Sequence, residues 1–287
     1  MEKPRLQKFI RGDAIDPLRL TPRDTALLRD VYEFRFLNSE QLLALHEGSR
    51  RGIVNRLNGL FRHGYLDRPE VQKTKHLLSS HLVYSLDRRG VDALSADVAV
   101  REGMFRRIHE VKHTSALIAH ALMISQFRAT LTLALKKYPS SPRLERWLQG
   151  YDLKYILASR GQSSDLVPDA FFTVNDGGDL LDFFLEADQS TMDEGRMLKK
   201  MKIYWEWWRT SCHEKRLGIR NFRVLTITKN ETRAENLCRI TKEADDRKTG
   251  SNMFLFLSEA RYSLAEPEAV LSPIWASPKG ERHAILE

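Results

Sequence analysis

The segment DGGD, residues 176–179, separates two apolar runs and restricts the fold more than any other feature of the sequence. Two adjacent glycines suit a two-residue hairpin loop, because a type I′ turn needs positive φ at both central positions. Such a loop also determines the register, so that Phe172 opposes Phe183 and Val174 opposes Leu181. The sequence therefore predicts two antiparallel strands joined by this turn.

The same register brings acidic residues together at the open end of the hairpin. Asp169 opposes Glu186, and Asp188 shares a strand face with Glu186 because side chains alternate along a strand. Opposed carboxylates whose Cβ atoms are about 5 Å apart repel each other and need a cation, a shared proton or a basic neighbour. Mg²⁺ is one solution, since it takes carboxylate oxygens and keeps positions for phosphate and water. A solvated strand end near Arg or Lys is the other, so these three acids are candidate metal ligands although no cofactor is required.

A helix is predicted after this hairpin, with Thr191 and Glu194 as a capping box. Lys200 lies at the edge of its apolar stripe and is expected to lean toward the sheet. The stripe consists of Met197, Met201, Tyr204, Trp205 and Trp208. The segments FRVLTIT, ETRAENLCRITKEADD and NMFLFLS then read as strand, helix and strand, so residues 141–287 are predicted to form an α/β domain with a mixed sheet.

The N-terminal third is predicted to contain three short helices, which begin near Thr21, at Asn38 or Ser39, and near Ser49. The third helix has an apolar side and, opposite to it, a polar side. Arg and Asn side chains pair bidentately with guanine and adenine edges, so the polar side suits a major groove. Its members are Arg51, Asn55, Asn58 and Arg62.

A basic hairpin is predicted after the third helix, with strands at 65–71 and 81–86 and the tip QKTK. Residues 48–89 hold nine Lys and Arg against three acids, which is +6 of the chain's net +8. Phosphates of double-stranded DNA are the partner that fits such a charge, through Arg68, Lys73 and Lys75. Three helices and a basic hairpin predict a winged helix-turn-helix over residues 18–100.

A long helix over residues 105–137 is predicted to join the two domains, within a linking segment 101–140. It contains HEVKH, residues 109–113, which has the spacing of a zinc protease site. Lys112 would place a cation beside the metal, so we interpret these histidines as polar surface or interdomain groups. The sequence shows no uninterrupted apolar run of roughly 18 residues and no signal peptide, which favours a cytoplasmic protein without a membrane.

Taken in order, the segments VPDAFF, FFLEADQSTM, KMKIYWEWW and FRVLTITKNETRAENL resemble the replication-relaxation family of plasmid and mobile-element proteins, over about residues 20–260. This resemblance implies DNA binding in plasmid replication, relaxation or transfer, with replication or conjugation proteins as partners. A homodimer is expected from the paired sites that origins carry.

The C-terminal half is similar to PD-(D/E)xK nucleases, which implies a restriction-endonuclease-like fold. Asp169 matches the PD element and Glu186 the acidic position, but Asp188 stands where the family has lysine. Lys200 is the expected replacement if the site is active, so the catalytic set would be Asp169, Glu186 and Lys200. We expect an inactive nuclease-like domain. The alternatives are a Mg²⁺-dependent DNA nuclease and a winged-helix transcription regulator with a ligand- or partner-sensing domain.

Overall fold

The structure is a computed structural model that describes residues 8–11, 18–73, 81–95, 101–104, 114–158, 166–190 and 193–287. The chain divides into two compact units, residues 1–125 and 126–287. The linking segment expected at 101–140 lies across this division.

The first unit combines short helices with a small sheet. A 3₁₀ helix, Glu70–Lys73, separates the last two strands. Both β1 and β2 pair antiparallel with β3, which gives the strand order β1-β3-β2. In chain order the elements are α1 (Pro22–Phe34), β1 (Leu37–Asn38), α2 (Ser39–Leu45), α3 (Arg50–Arg62), β2 (Leu66–Asp67), β3 (Val83–Leu86) and α4 (Arg88–Leu94).

The predicted helix starts are confirmed by the caps. The side chains of Thr21, Asn38 and Ser49 each accept a hydrogen bond from a backbone N–H in the first turn of α1, α2 and α3. The first hairpin strand, in contrast, is shorter than predicted. It leaves the sheet after Asp67, and Pro69 has no N–H with which to continue the ladder.

Helix α5, Ser115–Lys137, contains the boundary between the two units. In the first unit, the Ser125 hydroxyl donates to the carbonyl of Phe36 at 2.7 Å. The start expected for this helix near residue 105, and the HEVKH motif with it, lie outside the described residues.

Among the described residues, α5 is the helix whose length and composition would allow it to cross a membrane, with a mean hydropathy of 1.3 over its most apolar window. The sequence contains no uninterrupted apolar run of this length, because Gln126 and Arg128 interrupt it, but the helix continues through both residues. Half of that window is buried in the structure, and a core helix of a soluble protein passes the same test of length and composition, so α5 is a weak indication of a membrane span.

The second unit is built on a seven-stranded mixed sheet of order β10-β9-β8-β7-β6-β5-β4, which confirms the predicted α/β class with a mixed sheet. The pairs β6–β7 and β7–β8 are parallel, and the pairs β4–β5, β5–β6, β8–β9 and β9–β10 are antiparallel. The elements are β4 (Arg143–Gln149), α6 (Gly150–Ala158), β5 (Ala170–Asp176), β6 (Asp179–Asp188), α7 (Glu194–Arg209), α8 (Cys212–Leu217), β7 (Arg223–Thr228), α9 (Glu231–Thr241), β8 (Phe254–Ser258), β9 (Trp275–Ala276) and β10 (Arg282–His283). Three 3₁₀ helices, Lys242–Ala244, Glu259–Arg261 and Pro267–Leu271, lie between or after these elements.

The hairpin register agrees with the sequence prediction. Phe172 pairs with Phe183 and Val174 with Leu181, and the ladder closes at the DGGD turn. Gly177 and Gly178 have backbone φ angles of 63° and 106°, which residues with a Cβ atom rarely adopt. The prediction missed β4, α6, α8 and the last two strands.

Helices cover both faces of the sheet. On one face, α7 and α9 pack against Phe184 and Val224. On the other, the ring of Phe127 from the second half of α5 meets those of Phe172 and Trp275 at 5.9 and 6.0 Å. Strand β6 ends at Asp188 and α7 begins at Glu194, so the carboxyl end of the strand and the first turns of the helix lie close in the chain.

Two details of α7 differ from expectation. Asp193 is its N-cap, and the Asp193 side chain accepts from the N–H of Arg196, whereas the predicted cap Thr191 lies outside the described residues. Trp207 is the buried tryptophan, whereas Trp208 is 43% exposed. The buried side of α7 is thus shifted by one residue at its end, from Trp208 to Trp207, and Lys200 lies beside the sheet as predicted.

Candidate functional site

The candidate site lies at the sheet edge where parallel strands β6, β7 and β8 have their carboxyl ends. Glu186 and Asp188 of β6 share the face that α7 and α9 cover. Asp169 directly precedes β5, whose first residue pairs with Leu185. Carboxyl ends of parallel strands are where α/β sheets commonly bind ligands.

Glu186 is deeply buried at this edge, with a side chain 2% exposed. Lys200 Nζ donates to one of its carboxylate oxygens at 2.5 Å, and the Tyr204 hydroxyl donates to the other at 2.5 Å. Burial raises the pKa of Glu186 to about 7, against the attraction of Lys200, and repulsion from Asp169 adds to the increase. The carboxyl group is therefore poised between its charged and neutral forms near neutral pH.

The two donors to Glu186 come from one face of α7, one turn apart. Burial disfavours the charged form of Lys200, but attraction by Glu186 and Asp169 raises its pKa above the usual value, so the ammonium form dominates. Burial, together with the charges of the same two acids, raises the pKa of Tyr204 well above its usual value. Tyr204 is therefore a neutral hydrogen-bond donor here.

Asp169 lies beyond the last pair of the hairpin ladder. Its backbone N–H donates to the carbonyl of Leu185 at 3.2 Å, and its side-chain Oδ2 accepts from the N–H of Ala187 at 2.8 Å. The carboxylate thus crosses over to β6 and lies close enough to Glu186 to influence the pKa of that residue. The structure therefore brings Asp169, Glu186 and Lys200 together.

Asp188 occupies a separate ion pair. Arg233 on α9 donates to both of its carboxylate oxygens, at 2.7 and 3.3 Å, and the N–H of Ser190 donates at 3.2 Å. The Asp188 side chain is 1% exposed. A bidentate guanidinium is the strongest partner that a buried carboxylate finds among side chains.

These acids do not fit a Mg²⁺ site in this arrangement. Both oxygens of Glu186 and both oxygens of Asp188 already accept from Lys200, Tyr204 or Arg233. Among the described residues, no group of three or more acids, His and Cys is arranged to hold a metal ion. Of the two solutions that the sequence left open, Mg²⁺ or basic neighbours, the structure shows the basic neighbours Lys200 and Arg233.

Sequence reasoning missed three members of this site. Tyr204 was assigned to the core, although it lies four residues after Lys200 and hence on the same helix face. Arg233 could have been found from its place in the first turn of a helix that follows a strand parallel to β6. Thr226, paired with Glu186 across the sheet, is fully buried, and its hydroxyl has no hydrogen-bond partner in the part of the chain that the structure describes.

The predicted DNA-reading side of α3 is divided between exposed and engaged residues. Arg51 and Asn55 are exposed, Arg62 is half-buried, and none of the three has a hydrogen bond or an ion pair within the described ranges. Two other arginines of the helix are engaged: Arg50 pairs with Glu40, and Arg56 with the buried Asp24.

Arg68 does not fit the predicted role of a phosphate contact, because it is 5% exposed. Its guanidinium lies 4.2 Å from the centre of the Phe61 ring and donates to Asn58 and to the hydroxyl of Tyr84. It also donates to the carbonyl of Lys8. Arg68 therefore stabilises the first unit, and Asn58 is partly occupied by this contact.

Of the remaining predicted phosphate contacts, Lys73 is the last residue of the 3₁₀ helix Glu70–Lys73. Lys73 is exposed and forms an ion pair with Glu70 three residues earlier. Its ammonium group is 5.6 Å from the centre of the Phe9 ring. Lys75 lies outside the described residues.

Comparison with known proteins gives one family. A family model described as Replication-relaxation matches residues 28–221. No curated protein matches the sequence significantly. Two solved structures of the restriction endonuclease FokI, one bound to DNA, are similar at 12% and 14% identity with a TM-score of 0.31. They cover 86% of this chain but only 43% and 44% of the FokI chain, so this chain spans less than half of FokI's length.

Proposed function

The chain belongs to the replication-relaxation family, and we propose that its first unit binds double-stranded DNA sequence-specifically through α3. The succession α1-β1-α2-α3-β2-β3 with the strand order β1-β3-β2 supports a winged helix-turn-helix. In such a motif the recognition helix enters the major groove and the wing contacts the backbone.

The observation that carries this proposal is the division of arginines on α3. Arg50 and Arg56 are paired with acids, whereas Arg51 and Arg62 have no acidic partner among the described residues, and α3 itself contains no acid. Guanidinium groups without an internal partner cost the least to bring onto a guanine edge or a phosphate. With the exposed Asn55 beside them, they form a surface whose chemistry matches duplex DNA.

The biological role that fits these features is that of an accessory DNA-binding protein in plasmid or mobile-element replication, relaxation or transfer. In this proposal the protein works in the cytoplasm, as a homodimer on paired sites, together with replication or conjugation proteins. The second unit has a nuclease-like fold that serves assembly rather than hydrolysis. The engagement of Glu186 and Asp188 by Lys200, Tyr204 and Arg233 supports an inactive site.

A genome-wide footprint of the bound DNA in the host tests this role. Occupancy of origins on plasmids or mobile elements is the expected result. Occupancy of promoters with changed transcription of the neighbouring genes would instead favour a transcription regulator, and no enrichment at any sequence would contradict specific binding. An Arg51→Ala, Arg62→Ala double variant, expected to lose the enriched sites, links the footprint to α3.

A metal-dependent DNA nuclease is the second candidate function. The observation that favours it is the contact of Lys200 with Glu186 beside Asp169, the grouping that PD-(D/E)xK nucleases use. Hydrolysis would require Glu186 to give up its present partners. Supercoiled plasmid incubated with the protein and Mg²⁺ or Mn²⁺ distinguishes the two: nicking that Asp169→Ala abolishes would establish the nuclease. Nicking that persists in that variant would come from a contaminant or from another site.

A further inference from the structure

Helix α6 carries a pair of exposed tyrosines whose rings are nearly parallel. The rings of Tyr151 and Tyr155 have centroids 6.2 Å apart and an interplanar angle of 17°. Their exposures, 57% and 63%, are large for aromatic side chains. Single exposed aromatics are common on protein surfaces, but two that present aligned faces form a preorganised stacking surface.

The opposite side of α6 is anchored in the core. Leu153 and Leu157 are 1% and 3% exposed and belong to the apolar cluster that covers the sheet. Lys154, which is exposed, lies on the same side of the helix as the two tyrosines. The helix therefore holds an aromatic pair and a cation in a fixed orientation toward solvent.

The position of α6 connects this pair with the candidate site. Strand β4 ends at Gln149, which pairs with Ala170, and α6 begins at the next residue. Asp169 precedes Ala170, so the tyrosine-bearing helix starts at the same sheet edge as Asp169 and Glu186. Tyr151 lies in the first turn of α6 and is therefore the tyrosine of the pair that is nearer to this edge.

We propose that Tyr151, Tyr155 and Lys154 form a binding surface for unpaired nucleotides of single-stranded DNA. Bases stack on aromatic rings irrespective of sequence, and an interleaved cation attracts the phosphates between them. Two consecutive bases would lie on the two rings, with a phosphate near Lys154. This surface belongs to the second unit and is independent of duplex binding by α3, so either function can fail without the other.

Binding of a fluorescein-labelled oligothymidylate to the full-length protein, followed by fluorescence anisotropy at low ionic strength, tests the proposal. The Tyr151→Ala, Tyr155→Ala variant should bind at least about tenfold more weakly, since each stacked base contributes substantially to affinity. The Tyr151→Phe, Tyr155→Phe variant keeps the ring faces and should bind within about twofold of the unchanged protein. Trp208→Ala, which removes an exposed aromatic ring from α7, is the matched control and should have no effect.

Three results would overturn the proposal: no oligothymidylate binding by the unchanged protein, equal binding by the double alanine variant, or equal losses in that variant and in Trp208→Ala. A duplex measured in parallel separates this surface from α3. Arg51→Ala with Arg62→Ala should weaken duplex binding and leave oligothymidylate binding unchanged.

Photocrosslinking identifies the contacting residues directly. An oligonucleotide that carries 5-iododeoxyuridine should crosslink to a peptide containing Tyr151 or Tyr155. Crosslinks confined to other peptides would contradict the assignment. Capture of a protein on this helix face that the double alanine variant releases, without any crosslink to DNA, would show that the surface binds protein instead.

Discussion

The ammonium group of Lys200 on α7 lies 2.5 Å from a carboxylate oxygen of Glu186 on β6, 14 residues earlier in the chain. Both groups are largely buried, with side-chain exposures of 17% and 2%. Buried ion pairs add little net stability compared with an apolar replacement, but removing one partner leaves an uncompensated charge. Removal of either residue should therefore destabilise the fold through the charge that is left on the other.

We expect Lys200→Met to lower the free energy of unfolding by about 3 kcal/mol at slightly alkaline pH, because Glu186 would lose its cation. Urea denaturation measures this loss. Lys199→Met is the matched control, since Lys199 is exposed on the same helix and should cost less than about 0.5 kcal/mol. Adding Glu186→Gln to Lys200→Met should recover part of the loss, and a further decrease in the double variant would contradict the coupling.

Glu186 should make the stability depend on pH. Its pKa is raised to about 7 in the folded protein, above the usual value of about 4.3 in an unfolded chain. Between these values the folded state binds more protons, so the stabilisation is complete below the lower pKa and is lost as the pH rises through the upper one. We therefore expect the difference in unfolding free energy between the protein and the Glu186→Gln variant to decrease as the pH rises across this interval. A flat difference would show that burial does not shift this carboxyl group.

The pairing with Asp188 should require the guanidinium group of Arg233 and not only its positive charge. Because it donates to both oxygens of Asp188, we expect Arg233→Lys to lose part of the stabilisation and Arg233→Gln to lose more. Thermal unfolding gives the ranking. Arg239→Gln, an exposed change on the same helix, serves as the control and should leave Tm nearly unchanged. Equal Tm values for Arg233→Lys and the unchanged protein would count against a bidentate pair.

Adjacent arginines of α3 should differ in their effect on DNA. Arg51 is exposed and has no partner in the part of the chain that the structure describes, whereas Arg50 pairs with Glu40. We therefore expect Arg51→Ala to weaken specific binding roughly 5- to 150-fold. Arg50→Ala removes the same charge and should have a much smaller effect. Gel-shift titration on a footprinted site compares the two. If both variants lose the same affinity, α3 contributes general charge rather than base contacts.

Substitution of Arg68 should affect the stability of the protein, and substitution of Lys73 should affect the binding of DNA phosphates. Arg68→Ala should lower the free energy of unfolding by about 1–3 kcal/mol, because stacking on Phe61 and buried hydrogen bonds are lost. Lys73→Ala should leave stability nearly unchanged and reduce the salt dependence of DNA binding by about one phosphate contact. Urea denaturation and binding titrations at several salt concentrations measure the two quantities.

The local features of this fold could be read from the sequence. The glycine pair at 177–178 determined the hairpin register, and Thr21, Asn38 and Ser49 marked the helix starts. These features depend on backbone conformation and on hydrogen bonds within a few residues, so neighbouring residues specify them. Strand β4 was missed because its alternation of charged and apolar residues is weak and its pairing partner is distant in sequence.

The chemical state of the candidate residues was decided by the tertiary structure. The sequence by itself determined that Glu186 and Asp188 share a face, and it suggested that Lys200 leans toward them. That Tyr204 and Arg233 occupy the remaining carboxylate oxygens depends on how α7 and α9 pack on the sheet. Likewise, Arg68 was counted as a surface cation until the folded first unit placed it between rings. Charge along a chain is local, but its neutralisation depends on contacts between distant residues, and only the folded chain specifies those.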